Sequence, residues 1–144
     1  MTTVLFVCPD NSLLGPLAEA YLNARGAGVV RAFSAGLEPE AKLHPSVGKL
    51  LAVRNLPAQG LEPKSLDIFL MPMAPRPDRV VVLADMETPE LPGDWQGWVG
   101  VTKWPVAGKP PFPVSGDAAA EYFRRIRQAV DRALPRVYQP RTAA

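Results

Sequence analysis

Cysteine and histidine are almost absent from this sequence: Cys8 and His44 are the only examples. A single cysteine excludes an intramolecular disulfide and a CxxC redox pair. With one histidine it also leaves too few soft ligands for a structural zinc site, so no metal and no cofactor is expected. Long apolar runs are missing as well. Met1 to Val7 has no basic flank, and its short apolar stretch ends at Cys8-Pro9-Asp10, which fits neither a signal peptide nor an anchor. The cytoplasm is therefore the expected compartment, with no membrane as partner. Nor does either sign of charge dominate: 16 Lys+Arg against 14 Asp+Glu give a net charge of +2, with no like-charge run. A phosphate-backbone binder normally carries a basic excess or stripe, so nucleic acid is not the expected partner.

What is present is 144 residues, 47% hydrophobic and 21% charged, the composition of a single globular domain over 1–144 with 136–144 as a C-terminal tail. Folding at this length buries roughly 70% of the surface the unfolded chain exposes, enough for a core without disulfide or metal. The 17 prolines concentrate at Pro72 to Pro77 and at Pro105 to Pro113, marking loops.

Val4 to Val7 is a continuous run of β-formers, the pattern of a strand buried on both faces of a parallel sheet. A loop from Cys8 to Gly15 follows. Pro16 then fits the first turn of a helix carrying Leu17, Ala18, Ala20, Tyr21, Leu22 and Ala24 and stopped by Gly26. Val29 to Phe33 reads as a second strand, closed by Ser34-Ala35-Gly36. His44-Pro45-Ser46 opens a second helix with Val47, Leu50, Leu51 and Val53 on one face. Val80 to Leu83 is a third strand and Trp98 to Val101 a weaker fourth. A long helix over Ala118 to Leu134, with Asp117 as its N-cap, places Tyr122, Ile126, Val130 and Leu134 at four-residue spacing. Strands alternating with helices predict an α/β fold, a four-stranded parallel sheet with helices on both faces.

Ligands of such sheets sit beyond the carboxyl ends of the strands, and Cys8 lies at that end of the first strand, just before a helix. Backbone N–H groups of the loop can form an anion-binding nest, and the helix dipole adds positive potential that would lower a thiol's pKa. Two readings of Cys8 stay open on these grounds: an oxyanion site built around a thiolate, or a buried small hydrophobe.

The run Val4-Leu5-Phe6-Val7-Cys8-Pro9-Asp10-Asn11-Ser12-Leu13-Leu14-Gly15-Pro16-Leu17-Ala18-Glu19-Ala20 resembles the opening of the low-molecular-weight protein tyrosine phosphatase and arsenate reductase family, VLFVCxxNxxRSxxAEA. Ser34-Ala35-Gly36 is similar to that family's SAG turn, His44-Pro45-Ser46-Val47 to its next helix start, and Asp78 to Leu83 to its third strand. Trp104 and Tyr122 to Arg127 resemble the arsenate reductase branch, so the resemblance spans nearly the whole chain. It implies a phosphotyrosine protein phosphatase I-like fold, with Cys8 at the nucleophile position and Cys8, Pro9, Asp10, Asn11, Ser12, Leu13, Leu14 and Gly15 as the anion-binding loop.

The loop departs from the pattern at four places. Leu14 stands where the family has the arginine that grips the phosphoryl oxygens, and leucine neither donates a hydrogen bond nor carries charge. Gly15 replaces the hydroxyl residue that steadies the thiolate. Pro9 has no N–H, and Asp10 places a negative charge where a dianion must enter. No Asp-Pro pair supplies the family's general acid, and the two further cysteines of the thioredoxin-coupled reductases are missing. Losing a preorganised donor costs roughly 10²–10³ in rate and losing a general acid roughly 10²–10⁴. The expected function is a phosphatase-like domain without phosphatase or arsenate reductase activity that binds a small oxyanion or a protein partner. The alternative is an active cysteine-dependent phosphatase taking its cation from Lys103, Lys109 or Arg31. A phosphocysteine carrier or a flavodoxin-like protein fits less well, because the loop is not rich in Ser, Thr and Gly.

Among the remaining residues, Asn11 is expected either to hold the loop in shape or to be an ordinary turn residue, and His44 to cap its helix. Trp95, Trp98 and Trp104 are expected in the core, and Met71 and Met73 in a loop packed on the sheet. Leu13 and Leu14 are expected to give the pocket an apolar wall.

Overall fold

The computed structural model describes residues 1–137 of the chain, and side chains through Pro135. Four strands and four helices alternate: β1 (Thr2–Cys8), α1 (Leu14–Arg25), β2 (Val30–Gly36), α2 (Pro45–Val53), α3 (Asp67–Leu70), β3 (Arg79–Ala84), β4 (Gly100–Ala107) and α4 (Gly116–Val137). The sheet is wholly parallel in the order β2-β1-β3-β4. Connections leave β1 and β3 in opposite directions, so the carboxyl end of β1 lies at the topological switch point where such sheets open a crevice.

The α/β architecture is as the sequence predicts, with unequal faces. Val4, Phe6 and Cys8 of β1 join Val81 and Leu83 of β3 in the main core under α1, α2 and α4. The alternate residues Leu5, Val7 and Val80 face a thinner layer containing Leu66, Trp95 and the short α3. Strand alternation sends successive side chains to these two layers.

Several boundaries differ from expectation: β2 runs on through Ser34-Ala35-Gly36 rather than being closed by it, and α1 begins at Leu14, inside the loop expected to reach Gly15. The fourth strand is Gly100–Ala107 rather than Trp98 to Val101. Its Lys103-Trp104-Pro105 reads as the start of a proline-rich loop, yet β4 is an edge strand, where a residue without an N–H is tolerated. The register slips between Val82 and Ala84, beside Pro105. The last helix starts at Gly116, and its N-cap is Ser115 rather than Asp117: the Ser115 Oγ accepts from Ala118 N–H at 3.2 Å, leaving Asp117 in the first turn. Arg136 and Val137 belong to α4 rather than to a tail, and 138–144 lie outside the described residues.

Among the described residues, no helix is long and apolar enough to cross a membrane, and no group of three His, Cys, Asp or Glu could hold a metal ion. Met71 and Met73 are solvent-exposed, Met73 at 94%, and do not pack on the sheet as expected. Trp95 is buried and Trp104 packs against Phe6 with ring centroids 5.7 Å apart, but Trp98 is 60% exposed beneath the Arg76 guanidinium.

Candidate functional site

The end of β1 is fixed by its neighbours. Cys8 pairs with Gly36 of β2, and the loop then folds back so tightly that a Cβ on Gly36 would stand 2.8 Å from Asn11 N and 2.9 Å from Asp10 C. Only glycine admits that approach. Asn11 makes the turn with a φ of 53°, a left-handed conformation that asparagine tolerates. It is fully buried, and its Nδ2 donates to Ser34 O at 3.3 Å. Asn11 thus holds the loop in shape rather than lying free in a turn.

Backbone N–H groups of Gly15, Asn11 and Asp10 point at the Cys8 sulfur. Loop N–H groups of the kind expected to bind an anion are thus directed at the thiol itself. Burial nevertheless dominates: Cys8 is 1% exposed, and desolvation pushes its thiol up to about 12 against the pull of those donors, with the Asp10 charge adding to the rise. The expected lowering of the pKa by the helix start, and with it thiolate reactivity at neutral pH, is corrected by this geometry. Desolvation in the core outweighs the field of one helix terminus.

Leu14 does not merely line the space an arginine would fill. It is 1% exposed and packs with Leu13, Leu17, Val47 and Leu51 in the main core, as the first residue of α1. Pro16 sits in the first turn as expected. At Gly15, a Cβ would meet Asn11 Oδ1 at 2.5 Å, Ser34 Cβ at 3.0 Å and Cys8 Sγ at 3.2 Å. The Asn11 oxygen has moved into the volume a side chain at 15 would take. It is the one buried side-chain polar atom without a hydrogen-bond partner among the described residues.

Asp10 is occupied within the loop. Its Oδ1 accepts from both Ser12 N–H and Ser12 Oγ at 3.0 Å. The loop carbonyls are taken by the segment after β2: Leu37 N–H donates to Cys8 O at 3.3 Å, and Glu38, Glu40 and His44 N–H donate to Pro9, Asp10 and Ser12 O at 2.9 Å each. His44 itself caps α2, its Nδ1 accepting from Ser46 N–H at 3.1 Å, as expected.

None of the three candidate substitute cations reaches the loop. Arg31 pairs with Thr3, five residues or about 16 Å along the strand from the Cys8 row, and stacks over Phe33. Lys103 alternates with Trp104, which packs on Phe6, so it faces away from the side of Cys8. Lys109 is exposed past the end of β4.

Sequence reasoning missed the support behind the loop. Glu19 of α1 is buried, accepts from Ser34 Oγ at 2.8 Å and lies 3.9 Å from Lys64 Nζ. Burial raises its pKa, and Lys64 and Ser34 draw it back. The available signal was a carboxylate flanked by Leu17, Ala18 and Ala20 on a helix face too apolar to be solvated.

The chain matches the family model described as low molecular weight phosphotyrosine protein phosphatase over residues 3–139. No curated protein matches the sequence. Among solved structures, an arsenate reductase in the phosphate binding state superposes with a TM-score of 0.76 at 21% identity, covering 95% of this chain and 99% of that one. An arsenate reductase from Archaeoglobus fulgidus is 30% identical, with a TM-score of 0.64 over 89% of this chain and 98% of that one. The Corynebacterium glutamicum thioredoxin-dependent arsenate reductase gives 0.73 at 22% identity over 95% and 62%. With the family model matched over nearly the full length, this chain belongs to the low-molecular-weight phosphotyrosine protein phosphatase family.

Proposed function

We propose that this protein is a non-catalytic member of its family, a phosphatase-fold domain of the cytoplasm that works by binding, and that its ligand at the Cys8 loop is a protein surface rather than an oxyanion. The observation that carries the reading is Leu14: the position of the oxygen-gripping arginine holds a leucine sealed in the core beside a protonated Cys8. A neutral thiol is a poor nucleophile, and among the described residues no cation acts on Cys8 to compensate. An oxyanion fits the loop poorly. The backbone donors already surround the Cys8 sulfur, the Ser12 donors serve Asp10, and Asp10 sets negative charge beside the sulfur. A protein contact needs none of those donors.

Hydrolysis of an activated aryl phosphate tests this, since it requires nucleophile and oxygen clamp while relaxing leaving-group protonation. No turnover above a Cys8→Ser control is expected, and Leu14→Arg alone restores none. Phosphate, arsenate and sulfate are expected to leave the melting temperature unchanged, because only a ligand of the native state raises it. Phosphatase-like rates abolished by Cys8→Ser would establish the active-enzyme reading instead. A saturable rise in melting temperature with one of the oxyanions would favour the anion.

A further inference from the structure

An apolar hollow opens away from Cys8, between α4 and the amino-terminal half of the sheet. There a cavity of about 330 Å³ is walled by Val4, Val81, Leu22, Val130 and Leu134, with Trp104 and Thr102 of β4 at its side. The cause is local: α4 presents Ala129 and Ala133, one turn apart, where it crosses β3 and β4. Two small side chains at that spacing leave a gap that leucines would fill.

Its rim is cationic. Arg79 of β3 and Arg132 of α4 both line the cavity, and among the described residues neither has a carboxylate partner. The Arg79 Nη1 lies 3.5 Å from where a Cβ of Gly100 would stand, so glycine at the start of β4 gives the guanidinium room. An adjoining recess shares Trp104, Ala129 and Arg132 and adds Lys103 and Arg125. No acidic residue lines either space among those described. Arg79 and Arg132 are two guanidinium groups without a carboxylate beside an apolar hollow, an arrangement that an anion relieves, whereas Arg125 already pairs with Glu121 and donates to Val106 O.

We infer that this α4–β4 cavity is a binding site for a small amphipathic carboxylate, whose apolar body enters between Val81, Trp104 and Leu134 and whose head meets Arg79 and Arg132. The volume lies within the range of small-molecule pockets. At about 30 Å³ per water in the liquid, it takes on the order of ten heavy atoms, the size of an arylalkanoic acid. Guanidinium groups recognise a carboxylate through paired charge-assisted hydrogen bonds, which supplies the polar anchor such pockets use. This site is independent of the Cys8 loop, which lies at the opposite end of β1.

The test is an NMR titration of the full chain with 3-phenylpropionate, alongside its neutral amide and acetate. Saturable shifts at Thr102, Trp104, Ala129 and Ala133 are expected with the acid, with the amide and acetate each at least tenfold weaker. Arg132→Gln, on an exposed position that leaves the fold intact, is expected to weaken the acid about tenfold and leave the amide unchanged; Arg79→Gln is expected to do the same. Cys8→Ser and excess inorganic phosphate are expected to have no effect. Equal binding of acid and amide, shifts centred on residues 8–15, or no saturation at millimolar acid would each overturn the inference. Since phosphatase chemistry plays no part in the readout, failure here leaves the reading of the Cys8 loop untouched.

Discussion

Alkaline pH is expected to destabilise this fold through a single thiol. In the unfolded chain Cys8 ionises near its ordinary value of about 8.5, while in the native core burial holds it at about 12. Between those values the unfolded state has released a proton that the native state keeps, so stability falls as pH rises, by about 1.4 kcal/mol per pH unit. The contribution is fully present below about 8.5 and is lost progressively toward 12. At pH 10, roughly 1.5 units into that window, the loss is about 2 kcal/mol relative to pH 7.5. Urea unfolding of the reduced protein and of Cys8→Ala at both pH values measures it. Lysine and tyrosine titrations are common to both proteins and cancel, as does the small cavity left by the alanine. Wild type is expected to lose about 2 kcal/mol more than the variant on going to pH 10. The same burial sets the thiolate fraction at pH 8 near 10⁻⁴, so iodoacetamide is expected to alkylate native Cys8 on the order of 10³ times more slowly than a free thiol. Equal pH losses in the two proteins, or rapid alkylation without unfolding, would refute a neutral, buried thiol.

Three further outcomes check the loop and its supports. Gly15→Ala is expected to cost about 1–3 kcal/mol through its contact with the Asn11 oxygen, and Asn11→Gly in that background to recover part of it, measured as a non-additive double-mutant cycle in urea. Gly36→Ala meets backbone rather than side chain. It is expected to lower stability by about 3 kcal/mol or more and to slow no other step first, since the clash cannot be relieved by a rotamer. His44→Ala removes the α2 cap and is expected to cost about 1 kcal/mol by the same assay, with no effect on the reactivity of Cys8.

The buried strands were legible because β1 and β3 are unbroken apolar runs, whose burial on both faces leaves no alternation to misread. β4 was not, because an edge strand keeps exposed Val101 and Lys103 and tolerates Pro105, features a sequence shows equally well in a loop. The position of the Cys8 loop could be read from the strand-loop-helix pattern, whereas the shaping role of Asn11 was one of two open alternatives and rested on the family resemblance. The state of the thiol could not be read. It depends on the close approach of Gly36 and on a segment at 37–44 whose N–H groups bind the loop carbonyls, a contact made thirty residues away in the chain. The cavity under α4 was equally hidden, because Ala129 and Ala133 look like ordinary helix formers until the sheet beneath them is known.

On the proposed non-catalytic reading, the loop keeps its shape without the residues that the family pattern has at 14 and 15. Its shape is set by Asn11, by the glycine at 36 and by the hydrogen bonds from Leu37 to His44, and none of these needs a side chain at 14 or 15. An arginine at 14 would have to keep a charge at the edge of the core, a cost that a bound oxyanion offsets and an empty loop does not. Leucine there gains about 1.5–3 kcal/mol from burial instead. Asp10 satisfies the Ser12 donors, and the backbone N–H groups of residues 10, 11 and 15 satisfy the thiol. Each change therefore makes the unliganded loop more self-sufficient, and each weakens the case for an incoming anion by the same interaction. The one group left unsatisfied, Asn11 Oδ1, is an acceptor, and its preference for a donor is opposite to what a phosphate offers.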